Sequence, residues 1–186
     1  MPFLQTEIAD LMIFEPKVFE DSRGYFFEAY NQETFRQQGI EMKFVQDNQS
    51  KSSYGVIRGL HYQLAPFAQT KLIRVIEGRI LDVALDIRKG SPTFGHHFSL
   101  ELSAENRKQL WVPEGFAHGF SVLSETATVL YKCNRFYHKE SEAGILHNDP
   151  ALGINWRIEK GKEIISEKDA RLPHFANCRN NFEYGS

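Results

Sequence analysis

The sequence predicts a mainly β protein, a jelly-roll sandwich or barrel with a few short helices. Three observations carry this. Apolar residues recur with period two in several short runs, turn signals such as "KGSPTFG" and "VPEGFAHG" fall between those runs, and helical periodicity is scarce. In chain order, "NQETFRQQG" (31–39) is one short helix, with Asn31 as N-cap and Gly39 as stop. "GVIRGLHYQ" (55–63) looks like a strand, yet it carries Arg58 and His61 where a plain core strand would carry valine or leucine. "KLIRVIEG" (71–78) is a strand ended by a hairpin turn at Gly78. "ILDVALDIR" (80–88) places Leu81, Val83, Leu85 and Ile87 on one face and Asp82, Asp86 and Arg88 on the other, the pattern of a half-buried strand. "HHFSLELS" (96–103) groups Phe98, Leu100 and Leu102, and "ATVLYKCNRF" (127–136) is a further strand. "SEKDARLP" (166–173) makes one helical turn opened by Ser166.

Bulk properties narrow the function. The 186 residues fit one domain spanning 1–186, with no linker, repeat or low-complexity segment. Lys plus Arg is 22 and Asp plus Glu is 24, a net charge of −2, which offers no basic face for nucleic acid. Cys133 and Cys178 have no metal-ligand spacing and are too few for a disulfide framework, so reduced thiols in the cytoplasm are the simplest expectation. The start "MPFLQTEIADLMIF" lacks the basic and apolar regions of a signal peptide, and no run approaches the roughly 20 apolar residues of a membrane span.

Two motifs resemble those that place metal ligands inside cupin-type jelly rolls. The first reads G-x5-H-x-H, then Glu, then Gly after six residues; the second reads P-x-G-x2-H. Gly55 and His61 match the first, but Gln63 replaces its second histidine, and Lys71, with six residues between it and Gly78, replaces its glutamate. "PEGFAH" (113–118) matches the second and ends in His118. A protonated lysine offers a cation no lone pair and repels it, so no metal is expected. Two imidazoles, an ammonium and the Gln63 amide around a hole suit an anion, or a substrate oxygen that becomes one. Each residue taken singly has a plainer role. Arg58 could be a solvated charge, Lys71 a strand-edge lysine, Tyr131 a core aromatic and His118 a brace for the turn after Pro113. Ser166 and Asp169 have the spacing of a capping box. It is their occurrence together that points to a site.

Several longer segments extend the pattern: "FVQDNQSKSSYGVIRGLHYQ", "AQTKLIRVIEGRILDVALDIRKGSPTFG", "QLWVPEGFAHGF", "NDP" and "ISEKDARLP". In this order and spacing, from about Asp21 to Pro173, the chain resembles the dTDP-4-dehydrorhamnose 3,5-epimerase family. That resemblance implies a cofactor-free, homodimeric jelly roll. Its substrate would be dTDP-4-dehydro-6-deoxy-D-glucose and its product dTDP-4-dehydro-L-rhamnose, made by proton removal and return at carbons 3 and 5. It implies His61 as base, Asp169 as its orienting carboxylate, Lys71 as stabiliser of the enolate oxygen, Tyr131 as acid on the opposite face and His118 lining the sugar site. It implies Arg23 and Arg58 as diphosphate ligands with Lys168 a further contact, Gln46 and Asn48 as amides reading base or phosphate, and Tyr137 stacked on thymine with Glu142 a polar contact. Phe26 and Glu28 match positions that reach into the partner subunit's site. Arg58 and His61 are three apart, which on a regular strand would send them to opposite faces, so a bulge or bend is expected at Gly59. The chain departs from common family residues at Gln49, Lys139, His147 and Arg157, none of them in the proton chemistry. The rival expectations are an epimerase of one carbon or a keto-isomerase of a related dTDP sugar, a metal-dependent cupin, and a sugar-nucleotide binding module without catalysis.

Overall fold

The computed structural model describes residues 2–185. The N-terminal part holds β1 (Phe3–Gln5), β2 (Met12–Phe14), β3 (Phe19–Asp21), β4 (Gly24–Phe26) and the helix α1 (Gln32–Arg36). The long strands follow: β5 (Gln46–Ser53), β6 (Ile57–Gln63), β7 (Lys71–Glu77), β8 (Arg79–Asp86) and β9 (His97–Ser103). The last are β10 (Gln109–Val112), β11 (Phe116–Val122), β12 (Thr126–Cys133) and β13 (Glu142–Gly144). They form a six-stranded sheet in the order β1-β2-β10-β7-β12-β5, a five-stranded sheet in the order β13-β6-β11-β8-β9, and the separate hairpin β3-β4. The two large sheets face each other as a cupin-type jelly roll. Among the described residues, no helix is long and apolar enough to cross a membrane.

Three apolar clusters explain the layering. Ile73, Val75 and Val129 of one sheet meet Ile80, Ala84 and Phe120 of the other between the two sheets. The outer face of the five-stranded sheet, with Leu81, Val83 and Leu85, is covered by Ile145, Leu152, Trp156 and Phe182 from the C-terminal segment. The outer face of the six-stranded sheet is covered at Leu72 and Trp111 by Phe35 of α1 and its neighbours. α1 begins where Asn31 accepts a hydrogen bond from the Glu33 N–H, 3.0 Å, as its capping residue type predicts.

Two expectations are corrected. Gly78 does not close a hairpin: β7 and β8 lie in different sheets, and Gly78, at φ +73°, carries the chain across from one to the other. Nor is β8 half-buried. Leu81, Val83, Leu85 and Ile87 pack under the C-terminal segment, while Asp82 and Asp86 share the interior face with Ile80 and Ala84 and have no exposed surface. A period-two pattern reports that two faces differ, and here both are covered because a distant segment folds over the outer one. The buried carboxylates are each satisfied. Asp86 binds Arg88, Ser91 and Thr93, and Asp82 binds His118.

Candidate active site

A cavity of about 490 Å³ opens between the sheets, and His61, Lys71, His118, Tyr131 and Asp169 line it together with Arg58 and Lys168. The backbone reason begins at Gly59. β6 and β11 pair with a register shift: His118 opposes His61, but Phe120 opposes Arg58, so β6 has one extra residue there. Gly59 absorbs it at φ +122°, and any Cβ would meet Gly119 Cα at 2.6 Å and His118 O at 2.8 Å. The expected bulge is therefore present, and Arg58 and His61 reach the same cavity in spite of their odd spacing.

His61 Nε2 lies 2.7 Å from Asp169 Oδ1. Asp169 Oδ2 accepts the Gly59 N–H at 3.3 Å, so the carboxylate joins the bulge to the imidazole. Burial alone would raise the Asp169 carboxyl, but hydrogen bonding and charge from His61, with the Gly59 and Ser166 bonds, outweigh it and hold the group below its usual range. Half of the capping box forms: Ser166 Oγ accepts the Asp169 N–H at 3.0 Å, while the aspartate side chain turns to His61 instead of back to the helix start. With Nε2 engaged, Nδ1 is the His61 nitrogen left for a ligand.

Across the cavity, Lys71 and Tyr131 come from adjacent strands of the six-stranded sheet, with Lys71 Nζ 5.9 Å from the Tyr131 ring centre. Burial pushes the Lys71 amine below its ordinary value, partly offset by Cys133, Asp82 and Glu142. The Tyr131 phenol is pushed up, first by burial and then by Cys133, which keeps it protonated at neutral pH. His118 Nε2 sits 2.9 and 3.0 Å from the two oxygens of Asp82, so it bonds to β8 instead of bracing the turn after Pro113. Arg58 Nε donates to Ser52 Oγ at 3.1 Å. Asp82 and Ser52 escaped the sequence reading, although an aspartate on the same strand face as Ile80 and Ala84 was a signal for the first.

A second group lies at the cavity rim. Lys168 Nζ is 2.6 Å from Glu142 Oε1, and the Tyr137 hydroxyl donates to Glu142 Oε2 at 3.0 Å. Glu142 would be raised by its burial, but the bonds from Lys168 and Tyr137 outweigh this and lower it; the same contacts raise Lys168 and Tyr137. Gln46 Oε1 accepts the Tyr137 N–H at 3.0 Å, and Gln46 Nε2 donates to Asn48 Oδ1 at 3.0 Å. Gln63 is a correction. It does not line the cavity but is buried behind it, bonded to the loops at Phe67, Phe136 and His138. The chain must be braced where β6 ends, and the amide side chain serves that end.

Three predicted residues stand apart from both groups within one protomer. Arg23 projects from the β3-β4 hairpin with its side chain 88 % exposed and paired to Asp21 at 2.6 Å, and Phe26 is 65 % exposed on the same hairpin. Glu28 accepts from Asn31 Nδ2 at 3.0 Å beside a different surface hollow. Among the described residues, no group of three or more His, Cys, Asp or Glu side chains converges as a metal site.

Comparison with known proteins shows the family and the overall fold. The sequence profile of the dTDP-4-dehydrorhamnose 3,5-epimerase family matches residues 5–177. A Shigella flexneri dTDP-4-dehydrorhamnose 3,5-epimerase is 55 % identical over 179 residues, covering 96 % of this chain and 98 % of the relative. The crystal structure of dTDP-4-dehydrorhamnose 3,5-epimerase from Elizabethkingia anophelis NUHP1 superposes with a TM-score of 0.90 at 54 % identity, covering 94 % of this chain and 96 % of that one. A Legionella pneumophila dTDP-6-deoxy-D-glucose-3,5-epimerase in complex with dTDP-4-keto-L-rhamnose superposes with a TM-score of 0.90 at 46 % identity, covering 94 % and 93 %.

Proposed function

The chain belongs to the dTDP-4-dehydrorhamnose 3,5-epimerase family, and we propose that it converts dTDP-4-dehydro-6-deoxy-D-glucose to dTDP-4-dehydro-L-rhamnose. The observation that carries the reading is the disposition of two proton-handling groups on opposite walls: His61 on β6 of one sheet and Tyr131 on β12 of the other, with Lys71 beside the phenol. Carbons 3 and 5 both flank the carbon-4 ketone. His61 Nδ1 removes a proton from one of them, the C–H electron pair enters the ring as an enolate, and the charge rests on the carbonyl oxygen. The Lys71 ammonium stabilises that oxygen. Tyr131 returns a proton to the opposite face of the same carbon, inverting it, and the phenolate is reprotonated from solvent as His61 releases its proton. Repetition at the second carbon completes the reaction. Asp169 orients His61 and stabilises the imidazolium. Side chains serve every step, so no cofactor is required.

Arg58 and Lys168 are suited to the diphosphate, and Tyr137, held by Glu142 and Gln46, to the thymine ring. Lys168 must exchange Glu142 for phosphate when the nucleotide enters. The exposed hairpin that bears Arg23 and Phe26, together with Glu28, supports a homodimer in which these residues complete the partner's site. Two free thiols, Cys133 and Cys178, favour a cytoplasmic setting. The test is solvent deuterium incorporation during turnover of the 4-keto sugar nucleotide. Label at carbons 3 and 5 is expected; label at one carbon alone would move the assignment to a single-carbon epimerase.

A further inference from the structure

Gln63 is 4 % exposed, outside the cavity, two residues beyond His61 on the same strand. Every polar function of its amide is used. Nε2 donates to Phe67 O at 2.6 Å and to Phe136 O at 3.3 Å, and Oε1 accepts the His138 N–H at 2.7 Å. The carbonyl before Tyr137 and the N–H after it are thus held by one side chain, while the N–H of Tyr137 itself goes to Gln46.

The other contacts in this corner brace the same loop. Glu142, which accepts from the Tyr137 hydroxyl, opposes Gln63 in the β13-β6 pairing. The Phe67 ring stacks on His138, centres 3.8 Å apart and planes 6° apart, and Gln69 Nε2 donates to Arg135 O at 2.8 Å. So the loop after β6 and the loop after β12 are zipped together, with Gln63 at the centre. Tyr137 itself is 54 % exposed, so its place depends on the loop that carries it and on the bond from its hydroxyl to Glu142. An exposed ring on a loop binds well only if its position is set before the ligand arrives.

We infer that Gln63 is a positioning residue for nucleotide recognition: it locks the peptide units on either side of Tyr137 and so fixes that ring relative to His61. The inference rests on the reading of Tyr137 as the platform for the base. Gln63 touches no substrate, and it acts on affinity through Tyr137 while leaving the proton transfers alone.

The experiment compares full-length Gln63→Met, Gln63→Glu, Tyr137→Leu and the double variant Gln63→Met/Tyr137→Leu. KM and kcat are measured for the 4-keto sugar nucleotide, and Kd for dTDP by calorimetry. Methionine has nearly the volume of glutamine but none of its hydrogen bonds; glutamate keeps the acceptor for His138 and loses both donors. Gln63→Met is expected to raise KM and the dTDP Kd about tenfold, with kcat within about twofold. Gln63→Glu should do the same, and it serves alone if the methionine variant does not fold. In the double variant the Gln63 effect should vanish, leaving the KM of Tyr137→Leu. Unchanged dTDP affinity in a folded Gln63 variant, or a Gln63 effect undiminished in the Tyr137→Leu background, overturns the inference. Unchanged dTDP affinity in Tyr137→Leu alone overturns the platform reading, and this inference with it.

Discussion

Burial works against the Lys71 ammonium, yet the proposed reaction creates an oxyanion beside it, and that gives the cation its use. The sign of the pH effect follows. Catalysis needs the protonated amine, so kcat/KM should fall as pH rises through a lysine value displaced below 10.5, and the alkaline limb of the rate profile should lie correspondingly low. Stability runs the other way. Between the folded and unfolded values the unfolded chain binds more protons, so this group makes the fold more stable as pH rises through that window and less stable below it. Lys71→Met should therefore lower turnover by at least about 10²-fold while raising the melting temperature at pH 7 by about 2–4 °C. A lower melting temperature by calorimetry would refute the burial argument. Asp169→Asn keeps the size of the side chain at 2.7 Å from His61 but removes its charge and its control of the tautomer, so kcat should drop by roughly 10²–10⁴ with dTDP affinity unchanged. His61 and Lys71 were legible in the sequence because short motifs bring them into one pattern, and Tyr131 and Asp169 because the longer segments resemble the family. The bracing role of Asp82 and the true place of Gln63 were not, because their partners lie 36 and up to 75 residues away in the chain and no motif links them.

The bulge in β6 is the element on which the site's geometry turns. Gly59 has a φ of +122° and faces the backbone of β11 with no room for a methyl group, and Gly119 across from it would meet Arg58 O at 2.6 Å. Gly59→Ala should cost roughly 2–3 kcal/mol in urea unfolding and separate Arg58 from His61, lowering kcat as well as affinity. If activity survives intact, the bulge is not what aligns them. This bulge could be expected from the odd spacing of two ligand-type residues. The role of β8 could not. Its interior face carries Asp82, whose removal leaves a buried imidazole unpaired; Asp82→Ala should destabilise by about 1–3 kcal/mol. The same holds for the end of β7, where Gly78 reads as a hairpin glycine. Whether a tight turn returns a strand to its neighbour or sends it to the opposite sheet depends on which strands already flank it.

In the whole molecule, the hairpin of Arg23 and Phe26 stands apart, with Glu28, from the cavity that Arg58, His118 and Lys168 line beside the proton-handling residues. If hairpin and cavity from different subunits make one site, two inactive homodimers can rescue each other. Mixing and refolding His61→Ala with Arg23→Ala in equal amounts should restore about a quarter of native activity, because half the dimers are mixed and each has one intact site. No recovery, with mixed dimers present by mass spectrometry, would mean that Arg23 serves its own subunit or none.

By itself the sequence determined the jelly roll, the short helix at Asn31, the break in β6 and the place of His61, Lys71 and His118 on cupin-like motifs, because alternation, capping and motif spacing are local facts of the chain; Tyr131 and Asp169 entered only through the family resemblance. Tertiary structure alone decided that β8 is covered on both faces, that β7 and β8 belong to different sheets, that Asp82 braces His118, and that Gln63 stands behind the cavity and not in it. Each of these depends on segments far apart in sequence meeting in space, where the burial of a charge or an amide compels it to find a partner that no local pattern names.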